Sequence, residues 1–461
     1  MTMMLRPCAI LALALLAAIF CGGWAELATA QESPGATETA APETAPAEPA
    51  AERTLDRGDN AWMLTSSALV LMMTVPGLAM FYGGLVRKKN VLSTIMHSFF
   101  ILALISVQWV LWGYSLAFAP GGSLIGGIDW LALRGVGQEP NADYAATIPA
   151  LSFMAFQMMF AIITPALISG AFAERKRFKA MAIFSLLWAT LVYAPVAHWV
   201  WGVGGWLRTF GALDFAGGTV VHITAGVAAL VAASMLGKRI GFGSDSMEPH
   251  NLTYTVLGAG LLWFGWFGFN GGSALGANGL AANALVVTNT AAAMGGLAWM
   301  TASWFRHGHP SVLGLAAGAV SGLVAITPAA GFVDTPASIL IGLGAGVFCF
   351  FAVDILKRNV GVDDALDVFA VHGVGGIWGA LATGLFATTS VNAAGADGLF
   401  YGNPGQLLKQ AVAVAAVGAF TAAVTWIILK VVDVTVGLRV PEQEEVLGLD
   451  TTTHGEVAYQ L

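Results

Sequence analysis

Charged residues are scarce in this sequence, and cysteines scarcer still. Only 10% of the 461 residues are Asp, Glu, Lys or Arg, against about a quarter in an ordinary soluble domain. So few charges cannot dress a chain of this length for water, and lipid is its main solvent. The net charge of −7 offers no basic surface, which excludes nucleic acid as a partner. Of the three cysteines only one lies outside the expected N-terminal leader, and one cysteine can build neither a disulfide nor a thiolate metal site. Cys8 and Cys21 lie near the N-terminus, Cys349 stands alone in an apolar run, and the bulky Phe20 argues against a lipoprotein anchor at Cys21.

What the sequence has instead is apolar length. Hydrophobic residues make up 57%, and many of the 57 glycines fall inside apolar runs, as in membrane helices that pack through small residues. A bilayer demands ~20 apolar residues per crossing. On that measure about eleven spans follow Asn60, near 61–85, 92–118, 149–173, 180–199, 217–236, 253–272, 278–304, 311–332, 336–356, 366–388 and 408–432. Before them, Arg6, an apolar core from Ala9 to Phe20, and Ala28-Thr-Ala30 read as a cleaved secretory signal over 1–30. Residues 31–58 are rich in Pro, Ala, Glu and Thr, read as a disordered segment on the exterior or periplasmic side. The membrane domain then covers 59–433, and 434–461 is a polar tail.

Charge placement agrees with the count. Of the 20 Lys and Arg, fourteen fall on one expected side, among them Arg87, Lys89, Arg175, Arg239 and Arg439. Apart from Arg6 in the leader, only Arg53, Arg57, Arg134, Arg208 and Lys409 fall on the other. Positive charge marks the cytoplasmic side, so the N-terminus is expected outside and the C-terminus inside. An odd number of spans is what that orientation requires.

Two histidines stand deep in apolar spans. The contexts are Asp214-Phe-Ala-Gly-Gly-Thr-Val-Val-His222 and Asp367-Val-Phe-Ala-Val-His372-Gly. Ionisable groups at that depth are costly and usually face a pathway. His222 lies in the fifth span and His372 in the tenth, so five spans pair with five. Units with an odd number of crossings must insert upside down, giving two inverted five-helix repeats plus a final helix. That symmetry brings the two rings together near the midplane and sets each aspartate near a helix N-terminus, a capping position. A single buried histidine reads as a packed, hydrogen-bonded core residue; two in matching positions read as a polar conduit.

These residues resemble the ammonium transporter family (Amt/Mep/Rh), in its bacterial Amt form. The likeness runs through Gly83-Gly84-Leu-Val-Arg87, Gly170-Ala-Phe-Ala-Glu174-Arg175, the His222 stretch through Gly237-Lys238-Arg239, Gly265-Trp266-Phe267-Gly268-Phe269-Asn270, and the His372 stretch. It covers nearly everything after Asp59. The resemblance implies an all-α membrane protein of eleven transmembrane helices, a homotrimer with a pore in each subunit, N-terminus periplasmic and C-terminus cytoplasmic in the bacterial inner membrane. It implies an outer recruitment site at Phe160, Trp201 and Ser273, a phenyl gate of Phe160 and Phe269, twin pore histidines His222 and His372, and a supporting Asp214. It also implies ammonium or ammonia as substrate, with methylammonium as a further candidate. The tail would couple subunits, and a PII-type signalling protein would dock on the cytoplasmic face.

Each site has a plainer alternative. Phe160, Trp201 and Phe269 read on spacing alone as core or interface-belt aromatics. Asp214 reads both as a helix cap and as a charge near a cation, and Asp367 chiefly as a structural cap. His97, His198, His250, His307 and His309 lack a ligand-like pattern. An enzyme with a bound metal or haem is disfavoured, since the two histidines have no carboxylate or thiolate cluster around them; no cofactor is expected. An ammonium sensor signalling through a PII-type partner is the rival reading. The short stretch after the last span leaves little room for a signalling domain.

Overall fold

The structure is a computed structural model that describes residues 54–460. The expected signal (1–30) and most of the segment over 31–58 lie outside the described residues. Among the described residues, eleven apolar helices follow one another in chain order: α1 (Arg57–Leu85), α2 (Lys88–Phe118), α3 (Ala150–Phe172), α4 (Phe178–Phe210), α5 (Gly218–Leu236), α6 (Leu252–Gly272), α7 (Gly279–His307), α8 (Val312–Ile326), α9 (Thr335–Val360), α10 (Phe369–Phe386) and α11 (Pro404–Val436). Ten are long and apolar enough to cross a membrane by themselves; α8 is shorter. A small hairpin of β1 (Pro140–Asn141) and β2 (Ala145–Pro149) lies in the α2–α3 connection.

The expected eighth span, 311–332, is therefore cut short. Pro328 lacks the N–H a helix would need and disfavours helical backbone just before it. The chain turns there, and the freed Pro328 carbonyl accepts the Phe215 N–H at 3.1 Å. The broken end of α8 thus buttresses the loop that leads into α5.

Helices α1–α5 and α6–α10 form the two inverted units, and α5 and α10 start alike. Each opens with a widened π-turn, Gly218–Ile223 and Phe369–Val374, with its histidine inside it. Such bulges concentrate at functional sites. The two helices cross where Gly226 meets Gly373: a Cβ on Gly226 would collide with the Gly373 backbone. Glycine at this crossing lets the backbones close up and brings the two rings together.

The tail is packed against its own chain. It pairs with the α3–α4 loop through Arg177 N–H to Leu438 O (2.9 Å) and Val440 N–H to Arg175 O (3.0 Å). After a short helix α12 (Glu442–Leu447), Asp450 accepts the Leu92 and Ser93 N–H groups at 3.1 and 2.8 Å, capping α2 from a distance in sequence. Carboxylates are favoured at such helix N-termini. On this face Arg239 holds Asp363 (2.8 Å) and Glu174 (3.3 Å), Arg87 holds Glu174 (2.6 Å), and Arg439 holds Glu445 (2.9 Å). Arg175 caps backbone oxygens of Gly237 and Asp363 at 2.9 and 2.6 Å. The cations the sequence assigned to one side therefore gather where the tail docks.

Candidate functional site

Three spaces lie in series through the helix bundle. A cavity of about 270 Å³ opens on the face opposite the tail, lined by Phe160, Trp201, Asp214 and Ser273. A throat of about 10 Å³ follows, lined by apolar side chains with Trp266, Phe269, His222 and His372. Its size is that of a single water. Beyond His372 a cavity of about 340 Å³ opens towards the tail face, with Lys357, Asp367, Arg306 and Asp354 on its wall.

The outer cavity brings the expected cup together. Trp201 stands at 90° to Phe160 with ring centroids 5.9 Å apart. Its indole N–H donates to the Asp214 main-chain oxygen at 2.9 Å. The Ser273 hydroxyl donates to Phe269 O at 2.8 Å, which leaves its oxygen lone pairs available as acceptors. Asp214 does not reach into the cavity as a free charge. Its carboxylate accepts from Gly217 N–H (2.7 Å), Gly218 N–H (2.7 Å), Thr219 N–H (2.7 Å) and the Thr219 hydroxyl. Those bonds satisfy the first donors of α5 and fix its entry. Asp214 is thus a helix cap whose charge lies beside the cup.

Phe160 and Phe269 stack at 4.1 Å and 26°, closing the way from the outer cavity to the throat. Below them His222 and His372 meet Nδ1 to Nδ1 at 3.2 Å, with rings tilted by 20°. With both rings neutral, that contact forces opposite tautomers: one donates from Nδ1, the other accepts there. One Nε2 then carries a hydrogen and the other a lone pair. The His222 Nε2 is buried without a protein hydrogen-bond partner among the described residues. Trp266 lies on His222 at 5.5 Å, its own indole N–H held by the Thr327 hydroxyl at 2.9 Å.

One expectation needs correction. Asp367 does not cap α10. It pairs with Lys357 at 2.7 Å, and its backbone is left-handed at φ 60°. Asp364 caps instead, accepting the Phe369 N–H at 2.7 Å. The reason is register: Asp364 precedes His372 by the same interval that separates Asp214 from His222, and the π-turn needs that run-up.

Three further residues are in place that the sequence reading did not single out. Gln157 lies one turn before Phe160 on the outer cavity wall, its Oε1 without a protein partner among the described residues. Its signal was an amide in an otherwise apolar span. Tyr82 lines the throat and the inner cavity, and its hydroxyl donates to Leu167 O at 3.0 Å. Trp266 lay within a quoted motif, but only the fold sets it against His222. Among the described residues no group of three or more His, Cys, Asp or Glu side chains is placed to hold a metal ion.

Asp364 gives the inner end a pH signature. Burial, and then the nearby Asp367 charge, push its carboxyl up to about 6. A raised carboxyl contributes stability fully below its unfolded value of about 4, and loses it as pH rises through the folded value. We expect Asp364→Asn to flatten the decline of thermal stability between about pH 4 and 6 in detergent. Superimposable wild-type and variant profiles would show that Asp364 does not titrate there.

The fold and the site define a polytopic membrane protein with a narrow, histidine-lined path for a small solute. Comparison with known proteins specifies it further. Residues 61–459 match the sequence model described as the Ammonium Transporter Family. The ammonium transporter of Bacillus subtilis is 59% identical over 88% of this chain and 99% of its own length. Ammonium transporter Amt1 of Archaeoglobus fulgidus is 50% identical over 87% and 99%. The crystal structure of Candida albicans Mep2 superposes with a TM-score of 0.80 at 40% identity, over 85% of this chain and 88% of that one. A structure titled Sensor Amt Protein gives 0.79 at 29% identity, over 86% and 98%. The chain belongs to the ammonium transporter family.

Proposed function

We propose that this protein takes up ammonium across a bacterial inner membrane, recognising the cation outside and passing it onward as ammonia. Ammonium is held at Phe160, Trp201 and Ser273. Ring faces attract a cation by ~0.5–2 kcal/mol per contact, and the Ser273 oxygen accepts one of its hydrogens. The proton is lost before or at the His222–His372 pair, and ammonia crosses the throat, where imidazole nitrogens offer it a donor and an acceptor. A cation there would face a penalty of at least ~2.5–3.5 kcal/mol. Potassium has no proton to lose and is rejected. The observation that carries this reading is the throat itself: room for one water-sized molecule, apolar walls, and two imidazoles in contact.

The same proposal sets the N-terminus in the periplasm after removal of the signal, and the tail in the cytoplasm. It makes the assembly a homotrimer with a pore in each subunit, and the tail face a docking surface for a PII-type protein. Methylammonium is a candidate second substrate. A sensor with little transport is the second reading, favoured by the likeness to the Sensor Amt Protein.

Reconstitution in liposomes tests it. An ammonium-dependent current absent with potassium would mean that net charge crosses, so the proton has its own route. Ammonia flux without current would make the pore an ammonia channel. Neither flux nor current would overturn transport in favour of the sensor.

A further inference from the structure

Helix α11 stands outside the two five-helix units, yet it carries two glutamines one turn apart, Gln406 and Gln410, both 0% exposed. Buried amides in an apolar membrane helix are costly unless their polar atoms are paired. Gln410 is paired completely. Its Oε1 accepts from Leu213 N–H at 2.7 Å and from Gln406 Nε2 at 3.3 Å. Its Nε2 donates to Leu213 O at 2.7 Å and to Ala380 O at 3.1 Å. The flipped amide would set N–H against N–H, so only this orientation satisfies both ends. Gln406 adds a bond from its Nε2 to Gly211 O at 3.0 Å.

The amide therefore grips both main-chain groups of Leu213, as a neighbouring strand would. The next residue is Asp214, whose carbonyl holds the Trp201 indole and whose carboxylate caps α5. The third bond goes to α10, the helix of His372. One side chain from the final helix ties the loop of the first unit to a helix of the second. Gln410 does not itself line the outer cavity.

We propose that Gln410 is a positioning residue for the outer cation site, holding the Trp201 indole at its angle to Phe160 through the Leu213–Asp214 main chain. The proposal rests on the reading of Phe160, Trp201 and Ser273 as a cation cup. It makes a specific demand. Loosening the loop blurs the cup and weakens recognition, while the stacked phenyls and the histidine throat keep their dimensions.

The test is the concentration dependence of ammonium transport in proteoliposomes. Gln410→Met keeps chain length and removes all four bonds. Gln410→Glu keeps the acceptor and removes both donors. Trp201→Leu and the double variant Gln410→Met/Trp201→Leu complete the set. Gln410→Met is expected to raise the half-saturating ammonium concentration about five- to tenfold. The maximal rate should stay within about twofold of wild type. Gln410→Glu should shift it in the same direction, and the double variant should be no worse than Trp201→Leu alone. Additive effects, or a lower maximal rate at unchanged half-saturation, would overturn the proposal. Failure of both Gln410 variants to assemble would make the amide a folding determinant, and would overturn it too. If Trp201→Leu shifts half-saturation and the Gln410 variants do not, the Gln410 proposal alone fails. If Trp201→Leu shifts nothing, the cup reading falls and takes the Gln410 proposal with it.

Discussion

Replacing both His222 and His372 with Ala is expected to lower discrimination between ammonium and potassium by about a hundredfold, since a barrier of ~2.5–3.5 kcal/mol at the bilayer centre corresponds to that factor. Two effects act together. The substitutions remove the nitrogens proposed to receive the proton and ammonia. They also widen a throat of about 10 Å³ by the volume of two imidazoles, enough for a partly hydrated cation to enter. Potassium flux in liposomes, near background for wild type, should then rise. A single His372→Ala change is expected to act less, because one ring still narrows the path. Unchanged discrimination in the double variant would refute deprotonation at the pair as the source of selectivity.

Removing one cation from the tail face should have the next largest effect, here on stability. Arg239 is 6% exposed and donates to Asp363 and Glu174, whose side chains are 0% exposed. Burial alone would raise both carboxyls; Arg239 outweighs it, with Arg87 helping at Glu174, and holds them below the usual range. Arg239→Ala leaves two buried carboxylates with too little charge opposite them, a loss of about 3–5 kcal/mol. Thermal denaturation in detergent would register it as a sharp fall in midpoint. Arg239→Lys should recover only part, because an ammonium cannot fork across Asp363 as the guanidinium does. The sign with pH also follows. Carboxyls held low lend stability above about pH 4 and withdraw it as the solution acidifies, so the Arg239→Ala penalty should shrink in acid. A midpoint within a degree or two of wild type at neutral pH would mean that the network carries little of the fold.

The large features were legible because they follow from lipid as solvent. Span length, sidedness and the improbability of two buried histidines each had one physical cause, and the eleven helices and the His222–His372 contact followed from them. The features that escaped depend on register within a few residues. Asp364 and Asp367 look equivalent in sequence; the π-turn of α10 decides between them, and the left-handed Asp367 backbone turns its carboxylate towards Lys357. Pro328 shortens α8, but nothing in the sequence says that its carbonyl meets Phe215. Gln406 and Gln410 are two amides in an apolar run, and their partner lies on a loop nearly two hundred residues earlier. The polar tail does not name, in its own residues, the groups it packs on. Its order comes from groups elsewhere: the α2 N-terminus, Arg177 of the α3–α4 loop, and the Ile240 N–H and Lys238 carbonyl of the α5–α6 loop.

The Nδ1–Nδ1 contact gives the histidine pair a memory. Suppose a proton arrives at the bare Nε2 of one ring. That ring releases its Nδ1 hydrogen across the 3.2 Å contact, and the second ring lets go the hydrogen on its Nε2. One proton has entered and one has left, but the two rings have exchanged tautomers. The pair now points the other way and cannot repeat the step in the same direction until it is set back. An ammonia molecule that passes without giving up a proton there leaves no such trace. The frequency of resetting would then limit a proton relay through the pair, and would leave a channel for the neutral molecule untouched.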